Sequence, residues 1–149
     1  MYNHILIPTD GSESARRAVI AGVKLAKSLA ARVTFVTVML PFATLPDHAH
    51  AYAGLPEPMR QQAFDYLSEN AGKALEAAVA VARAEDISAD AALVESASPD
   101  KGILQEAANR SADAIVIGSH GRRGIEAVLL GSVTQKVLAG ASVPVLVYR

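Results

Sequence analysis

Five short apolar runs that alternate with helical segments constrain the fold of this chain more than any other feature. The runs are typical of buried strands, and the segments between them repeat apolar residues at the spacing of an amphipathic helix. The runs lie at 5–7, 33–38, 89–94, 114–117 and 143–148. This alternation predicts a parallel, doubly wound α/β sheet. No linker or repeat divides the 149 residues, so we expect a single domain over 1–149.

Composition narrows the classes of function. The formal net charge is −1 without a long run of one sign, which argues against a nucleic-acid or membrane surface. Cysteine is absent, which excludes disulfides and cysteine catalysis. No apolar run approaches the ~20 residues of a membrane span and no signal peptide is evident, so we expect a cytoplasmic protein. Two histidines in a loop, His48 and His50, are a weak signal for a metal ion, and we therefore predict no metal site.

Two further features mark a loop and a helix start. Residues 39–58 contain four prolines and no sustained period, which predicts a loop of about twenty residues whose role the sequence does not indicate. Ser98 directly before Pro99 predicts a helix that begins there, with Ser98 as its N-cap.

Two loops carry residues that point to a ligand. The first is Pro8-Thr9-Asp10-Gly11-Ser12, after the first run, and the second leads from Gly118 through Gly121 to Gly131-Ser132, where a helix begins. Glycines bring bare backbone N–H groups near a ligand, and a helix N-terminus favours an anion. In sheets of this type ligands bind beyond the carboxyl ends of the strands, where the strand order reverses. The second loop therefore has the parts of a phosphate-binding loop.

Taken alone, these residues leave alternatives open. The glycines could shape a turn while Ser132 caps the helix in a capping-box pattern. Asp10 could hydrogen-bond a ribose or a base, or it could cap the first helix together with Glu13. We interpret His120 as a solvated loop residue, with phosphate contact as the alternative, and Arg122 as a candidate phosphate neighbour.

The chain resembles the universal stress protein family over nearly its whole length. Gly118-x-x-Gly121, nine residues and then Gly131-Ser132 is similar to the G-2x-G-9x-G(S/T) signature of the ATP-binding branch. The segments at 5–12 and 112–118 are similar to the family's first strand and turn and to its fourth strand. The resemblance implies five parallel strands in the order 3-2-1-4-5 with helices on both faces, a fold of the adenine nucleotide alpha hydrolase type.

The resemblance also implies where ATP would bind. The expected adenine contacts are Pro8, Thr9, Asp10 and Val38. The expected ribose and phosphate contacts are Gly118, Gly121, Gly131, Ser132 and Val133, with Ile117 and Arg122 nearby. Mg²⁺ would be held mainly by the phosphates of the nucleotide. The implied function is that of an ATP-binding, nucleotide-dependent regulatory or stress-response protein.

The alternative function is a slow ATPase or a phosphotransferase. Hydrolysis needs a positioned water and compensation of charge on the transferring phosphoryl group. The sequence has no Walker lysine, and its one visible candidate base, Asp10, is assigned to the nucleoside end. We therefore expect slow ATP hydrolysis at most.

The last strand predicts a homodimer. Residues Val143 to Tyr148 are strongly apolar and include Pro144, which is typical of an edge strand because it cannot donate to a ladder. An exposed apolar edge invites pairing unless it is covered, and the same strand of a second subunit would cover it. The alternative is a monomer whose own helices shield this strand.

Overall fold

A computed structural model of the chain describes residues 2–41, 54–120 and 130–149. Its elements alternate as expected. The strands are β1 (His4–Pro8), β2 (Arg32–Met39), β3 (Ala89–Glu95), β4 (Ala114–Gly118) and β5 (Val145–Tyr148). The helices of the described part are α1 (Glu13–Leu29), α2 (Glu57–Ala84), α3 (Pro99–Asn109) and α4 (Ser132–Gly140).

The five strands form one parallel sheet in the order β3-β2-β1-β4-β5. The expected fold class and strand order are therefore confirmed. β1 lies at the centre between β2 and β4, so the strand order reverses there. The carboxyl ends of β1 and β4 consequently diverge at the place where sheets of this type bind ligands.

The core lies in two layers, one on each face of the sheet. Successive side chains of a strand point to opposite faces, and Ile5 and Ile7 accordingly pack with α1 and α2, whereas Leu6 packs with α3 and α4. β1 and β4 are buried along their whole length, which explains the continuous apolar runs at 5–7 and 114–117, and His4 is the buried polar residue of β1. Aromatic side chains are few, and Phe35 is the largest fully buried one among the described residues.

Several boundaries differ from the expected ones. β5 begins at Val145 rather than 143, because Pro144 precedes the ladder and only its carbonyl takes part, accepting from Ile115 N–H. α2 begins at Glu57, so the predicted loop is shorter at its end and Pro58 lies in the first helical turn, where proline is tolerated. Ser98 is the N-cap residue of α3 as predicted, but its side chain makes no cap bond.

Candidate functional site

The main candidate site is a cavity of about 160 Å³ at the carboxyl ends of β1, β2 and β4. α3 and α4 form its outer wall through residues such as Pro99, Ile103 and Thr134. Seven of the eleven residues expected to bind ATP line it: Pro8, Thr9, Asp10, Val38, Ile117, Gly118 and Val133. Gly131 and Ser132 lie at the start of α4 outside this lining, and Gly121 and Arg122 fall outside the described residues.

The loop after β1 holds Asp10 at the cavity. Asp10 Oδ1 accepts from Ser12 N–H at 2.9 Å, and Thr9 Oγ1 accepts from Gly11 N–H at 3.3 Å. The N-cap of α1 is Ser12, whose hydroxyl accepts from Ala15 N–H at 3.2 Å. The alternative that Asp10 caps α1 with Glu13 is therefore wrong. Asp10 shapes the turn and lines the cavity instead.

The end of β2 presents backbone groups to the same cavity. Thr9 N–H donates to Val36 O at 2.9 Å, which shows that the polar backbone groups of Val36 face β1. Met39 O accepts from Ser96 N–H at 3.0 Å and so faces β3. Alternate residues of a central parallel strand address opposite neighbours. Val38 therefore directs its N–H and C=O to the β1 side, beyond the Thr9 bond and towards the cavity it lines.

A side-chain bond fixes the gap between β1 and β2. Thr37 is buried, and its hydroxyl donates to Thr9 O at 2.7 Å. This bond occupies the carbonyl that the next rung of the ladder would use. The two strand ends are thereby held together while the backbone edge of Val38 stays directed into the cavity.

The end of β4 is tied to its neighbours by backbone bonds. Ser119 N–H donates to Tyr148 O at 2.8 Å, and Ser119 O accepts from Gly131 N–H at 2.7 Å. The hydroxyl of Thr134 in α4 donates to Gly118 O at 2.8 Å. β4, β5 and the start of α4 therefore meet at two consecutive residues, which positions the N-terminus of α4 beside the cavity.

Gly118 has a structural role that the sequence did not reveal. A Cβ placed on it would lie 2.8 to 2.9 Å from the side chain and backbone of Ser14 in α1. Glycine is therefore required for the close approach of α1 to β4. The sequence analysis gave Gly118 the role of bringing bare backbone near a ligand, and the contact with Ser14 adds a second, structural reason for glycine at this position.

The start of α4 differs from the predicted capping box. Gly131 is the N-cap residue, and Ser132 is the first helical residue with an exposed side chain. Gln135 N–H donates to Gly131 O, while the Gln135 side chain donates to Leu130 O. Ser132 is consequently not a cap, and its hydroxyl stands at the positive end of the helix dipole.

His120, interpreted as a solvated loop residue with phosphate contact as the alternative, is half-buried and lines the cavity. One residue of the cavity wall escaped the sequence interpretation. Gly102 in α3 lies against the cavity wall, since a Cβ there would come within 2.9 Å of both Val38 methyl groups. The helical spacing of α3 gave no signal for this contact, because it joins segments more than sixty residues apart.

The described residues offer neither a cluster of metal ligands nor a membrane-spanning helix. Over 2–41, 54–120 and 130–149, His, Cys, Asp and Glu side chains form no group of three that could hold a metal ion. In the same part of the chain, no helix has both the length and the apolar character needed to cross a bilayer. His48 and His50 lie outside the described residues.

Fold and site together define a class: a doubly wound α/β domain with a cavity at its switch point. The sequence matches the model of the universal stress protein family over residues 1–149, and the chain belongs to that family. A universal stress protein of Thermus aquaticus is 34% identical to this chain over 149 residues, and the alignment covers 100% of both sequences.

Solved structures agree with this assignment. The universal stress protein UspA of Lactobacillus plantarum superposes with a TM-score of 0.81 at 25% identity, covering 99% of this chain and 98% of that one. A universal stress protein crystallised in complex with cAMP superposes with a TM-score of 0.70, also at 25% identity, covering 99% and 97%.

Proposed function

We propose that this chain is an ATP-binding universal stress protein whose nucleotide occupancy sets its conformation or its partners in the cytoplasm. The observation that carries the proposal is the cavity at the switch point, where an apolar wall, the carboxylate of Asp10 and the end of β2 at Val38 converge. A family member of the same fold binds cAMP, which supports an adenine nucleotide as the ligand.

The end of β2 and the loop after β1 would form the nucleoside end of the site. Val36, Val38, Ile103 and Ile117 give the cavity an apolar lining suited to a purine ring. The C=O of Val38 can accept from the 6-amino group of adenine, and its N–H can donate to N1. Asp10, held by its turn, is placed to accept from a ribose hydroxyl.

The start of α4 would form the phosphate end of the site. Its first backbone N–H groups and its dipole favour an anion, and the Gly131 and Thr134 bonds hold the helix against β4. Ser132, Val133, Gly121 and Arg122 complete the proposed phosphate contacts. Mg²⁺ would be held mainly by the phosphates of the nucleotide.

The pattern of hydrogen-bond donors and acceptors on the adenine base gives a direct test of the proposed function. ATP and ITP carry the same phosphates, but ITP replaces the 6-amino donor by an oxygen and the N1 acceptor by N–H. Calorimetry should show that Mg-ATP binds at least about tenfold tighter, because both hydrogen bonds to Val38 are mismatched in ITP. At about 100 times its dissociation constant, ATP should also stabilise the fold by roughly 2.7 kcal/mol. An unchanged melting temperature in millimolar Mg-ATP would reject the proposal.

The enzyme alternative is tested by turnover. The described lining contains Asp10 and His120 as titratable groups, and Asp10 is assigned to the nucleoside end. We expect phosphate release far below the roughly 1–10³ s⁻¹ usual for enzymes. Turnover within that range, lost in Ser132→Ala, would favour the ATPase or phosphotransferase instead.

We also propose a homodimer through β5. β5 is an edge strand in which Val145 and Val147 pack on the core, whereas Leu146 and Tyr148 point outward with 49% and 40% of their surface exposed. Light scattering should show a dimer that Leu146→Glu converts to a monomer, because this outward residue is not part of the core. Val145→Lys is unsuitable as a test, since it would also disturb the fold. A monomeric parent at micromolar concentration would contradict the dimer.

A further inference from the structure

A second cavity lies on the face of the sheet that α1 and α2 cover. It is a groove between the two helices, which we call the α1–α2 groove, and its lining includes Arg16, Val19, Ile20, Lys73, Ala74 and Ala77. Its volume is about 390 Å³, compared with about 160 Å³ at the switch point. Volumes of roughly 300 to 1,000 Å³ are typical of small-molecule sites. The α1–α2 groove therefore has the size of a ligand site.

The ends of the helices define where this groove lies. Thr9 and Gly11, in the loop after β1, line it next to the start of α1. In the last turn of α1, Lys27 donates to Glu85, directly after α2, at 2.8 Å. The groove thus lies beside the first half of α1, while a contact at the C-terminal ends of both helices holds them together.

Small side chains leave the groove open. Three of the residues that α2 contributes are alanines, Ala74, Ala77 and Ala78, and α1 contributes Val19 and Ile20. Ala74, Ala78 and Val19 are buried, whereas 44% of the surface of Ile20 is exposed. Covering apolar surface of this kind is favourable, because it removes that surface from water. The floor of the groove therefore suits the apolar body of a ligand.

Two cations stand beside this apolar floor. Arg16 of α1 and Lys73 of α2 line the groove, and within the described part of the chain no acidic side chain does so. Each cation is paired along its own helix with an exposed glutamate, Arg16 with Glu13 and Lys73 with Glu69. Exposed pairs are weak, and a guanidinium or an ammonium has more donors than one glutamate uses. Both cations can therefore also bind the anionic group of a ligand.

We propose that the α1–α2 groove binds a small carboxylic acid with an apolar body, of the kind that a medium-chain fatty acid represents. Its carboxylate would pair with Arg16 and Lys73, and its chain would cover Val19, Ile20 and the alanines of α2. Among the described residues, the linings of this groove and of the switch-point cavity share only Thr9. The proposal is therefore independent of ATP binding.

The test uses octanoate, with octanol as its uncharged counterpart of the same chain length. Each is titrated into isotope-labelled protein, and NMR gives both the dissociation constant and the amide signals that move. Octanoate should saturably shift the signals of Gly11, Val19 and Ala77. It should bind about tenfold more tightly than octanol, because only the anion can pair with the two cations. Equal affinities, shifts confined to the switch-point cavity, or no response to millimolar octanoate would overturn the proposal.

Two arginine variants test the role of charge. Arg16→Gln and Arg17→Gln each remove one exposed cation of α1, but of the two only Arg16 lines the groove. Arg16→Gln should weaken octanoate binding about threefold to fivefold and leave octanol binding unchanged, whereas Arg17→Gln should bind both as the parent does. Equal weakening in the two variants would show a general charge effect in place of the proposed site.

Two alanine variants test the groove itself. Ala77→Leu and Ala80→Leu each enlarge an exposed alanine of α2, and of the two only Ala77 lines the groove. Ala77→Leu should abolish binding of octanoate and octanol by filling the space, Ala80→Leu should not, and melting temperatures show that both variants are folded. Octanoate binding that survives Ala77→Leu would contradict the proposal. A peptide rich in glutamate and leucine is the third ligand, and a response to it without one to octanoate would assign the groove to a protein partner instead.

Discussion

The two ends of the sheet use the same residue types in opposite ways. At the amino-terminal end, both ring nitrogens of His4 are bonded, Nδ1 to Arg110 O at 3.1 Å and Nε2 to Thr34 Oγ1 at 2.8 Å. Asp113 accepts from Asn3 N–H at 2.8 Å and from His4 N–H at 3.1 Å. At the carboxyl end, a histidine, an aspartate and a threonine line an open cavity instead.

The difference shows that position in the sheet decides what a polar residue does. At the amino end, each of these groups joins two elements, and only 3% of the surface of His4 is exposed to solvent. These bonds hold β1 to β2 and to the segment before β4. At the carboxyl end, Asp10 is held by its own turn and His120 by Ser119 and Ser14, and both side chains line the cavity. Among these four side chains, the ligand candidates are therefore the two that follow a strand, Asp10 and His120.

Protonation follows the same division. Burial, and then the positive charge of Arg32, lower the pKa of His4 below its ordinary value, so the folded protein favours the neutral ring. Burial acts to raise the pKa of Asp113, but hydrogen bonds from the backbone N–H groups of Asn3 and His4 outweigh it and the pKa is lowered. The amino end thus stabilises one protonation state of each group.

The largest loss of stability is expected from Gly118→Val, which tests whether a residue at the carboxyl end of the sheet also has a structural role. The new side chain would collide with the backbone of Ser14, and urea unfolding should show a loss of about 3 kcal/mol or more. Gly72→Ala is the matched control, because nothing lies within 4 Å of its Cβ and a helical glycine-to-alanine change should stabilise by about 0.5 to 1 kcal/mol. Parental stability of Gly118→Val would mean that α1 can shift freely.

The two histidines provide the next test. His4→Ala leaves a buried cavity and removes the partner of the fully buried Thr34 hydroxyl, so it should cost about 2 to 4 kcal/mol of unfolding free energy. His120→Ala removes a half-buried ring at an open cavity and should cost less than about 1 kcal/mol. Equal losses in the two variants would remove the distinction between the ends of the sheet.

The sequence predicted the elements well, because burial leaves a period in the residue pattern. The apolar runs at 5–7 and 114–117 made β1 and β4 recognisable, while the strand order came from the family resemblance rather than from the pattern. Contacts between distant segments leave no such signal. The bonds of Asp113 to Asn3 and His4 span about 110 residues, and the approach of Gly118 to Ser14 spans 104.

Local signals also failed where several residues compete for one role. Asp10 and Ser12 are both good cap residues, and only the backbone shows that Ser12 takes the N-cap and Asp10 the turn before it. The sequence pattern likewise indicated Ser132 as the cap of α4, whereas Gly131 is the N-cap residue. Seven predicted site residues converge at the cavity because parallel strands bring their carboxyl ends to one edge.

A smaller effect is expected from pH. The unfolded chain takes up a proton on His4 near pH 6.5, whereas the folded chain resists it because the pKa of His4 is lowered. Stability is therefore complete above pH 6.5 and falls as the pH decreases towards the lowered value, by at most about 1.4 kcal/mol per pH unit. Urea midpoints from pH 8 to 5 should show this decline in the parent and not in His4→Gln. A parallel decline in both proteins would mean that the loss of stability comes from a titrating group other than His4.

The smallest effects separate two serines at helix starts, and they extend the comparison to single hydroxyl groups. Ser12 caps α1 beside the cavity, and Ser12→Ala should cost about 1 kcal/mol because Ala15 N–H loses its acceptor. Ser98 occupies the corresponding position of α3, but its buried hydroxyl finds no partner among the described residues. A buried hydroxyl without a partner carries a desolvation penalty, so Ser98→Ala should leave the free energy of unfolding unchanged or slightly higher. Urea unfolding of both variants beside the parent measures the difference. A loss of 1 kcal/mol in Ser98→Ala would show that this hydroxyl is bonded in solution, and the contrast between the two serines would then disappear.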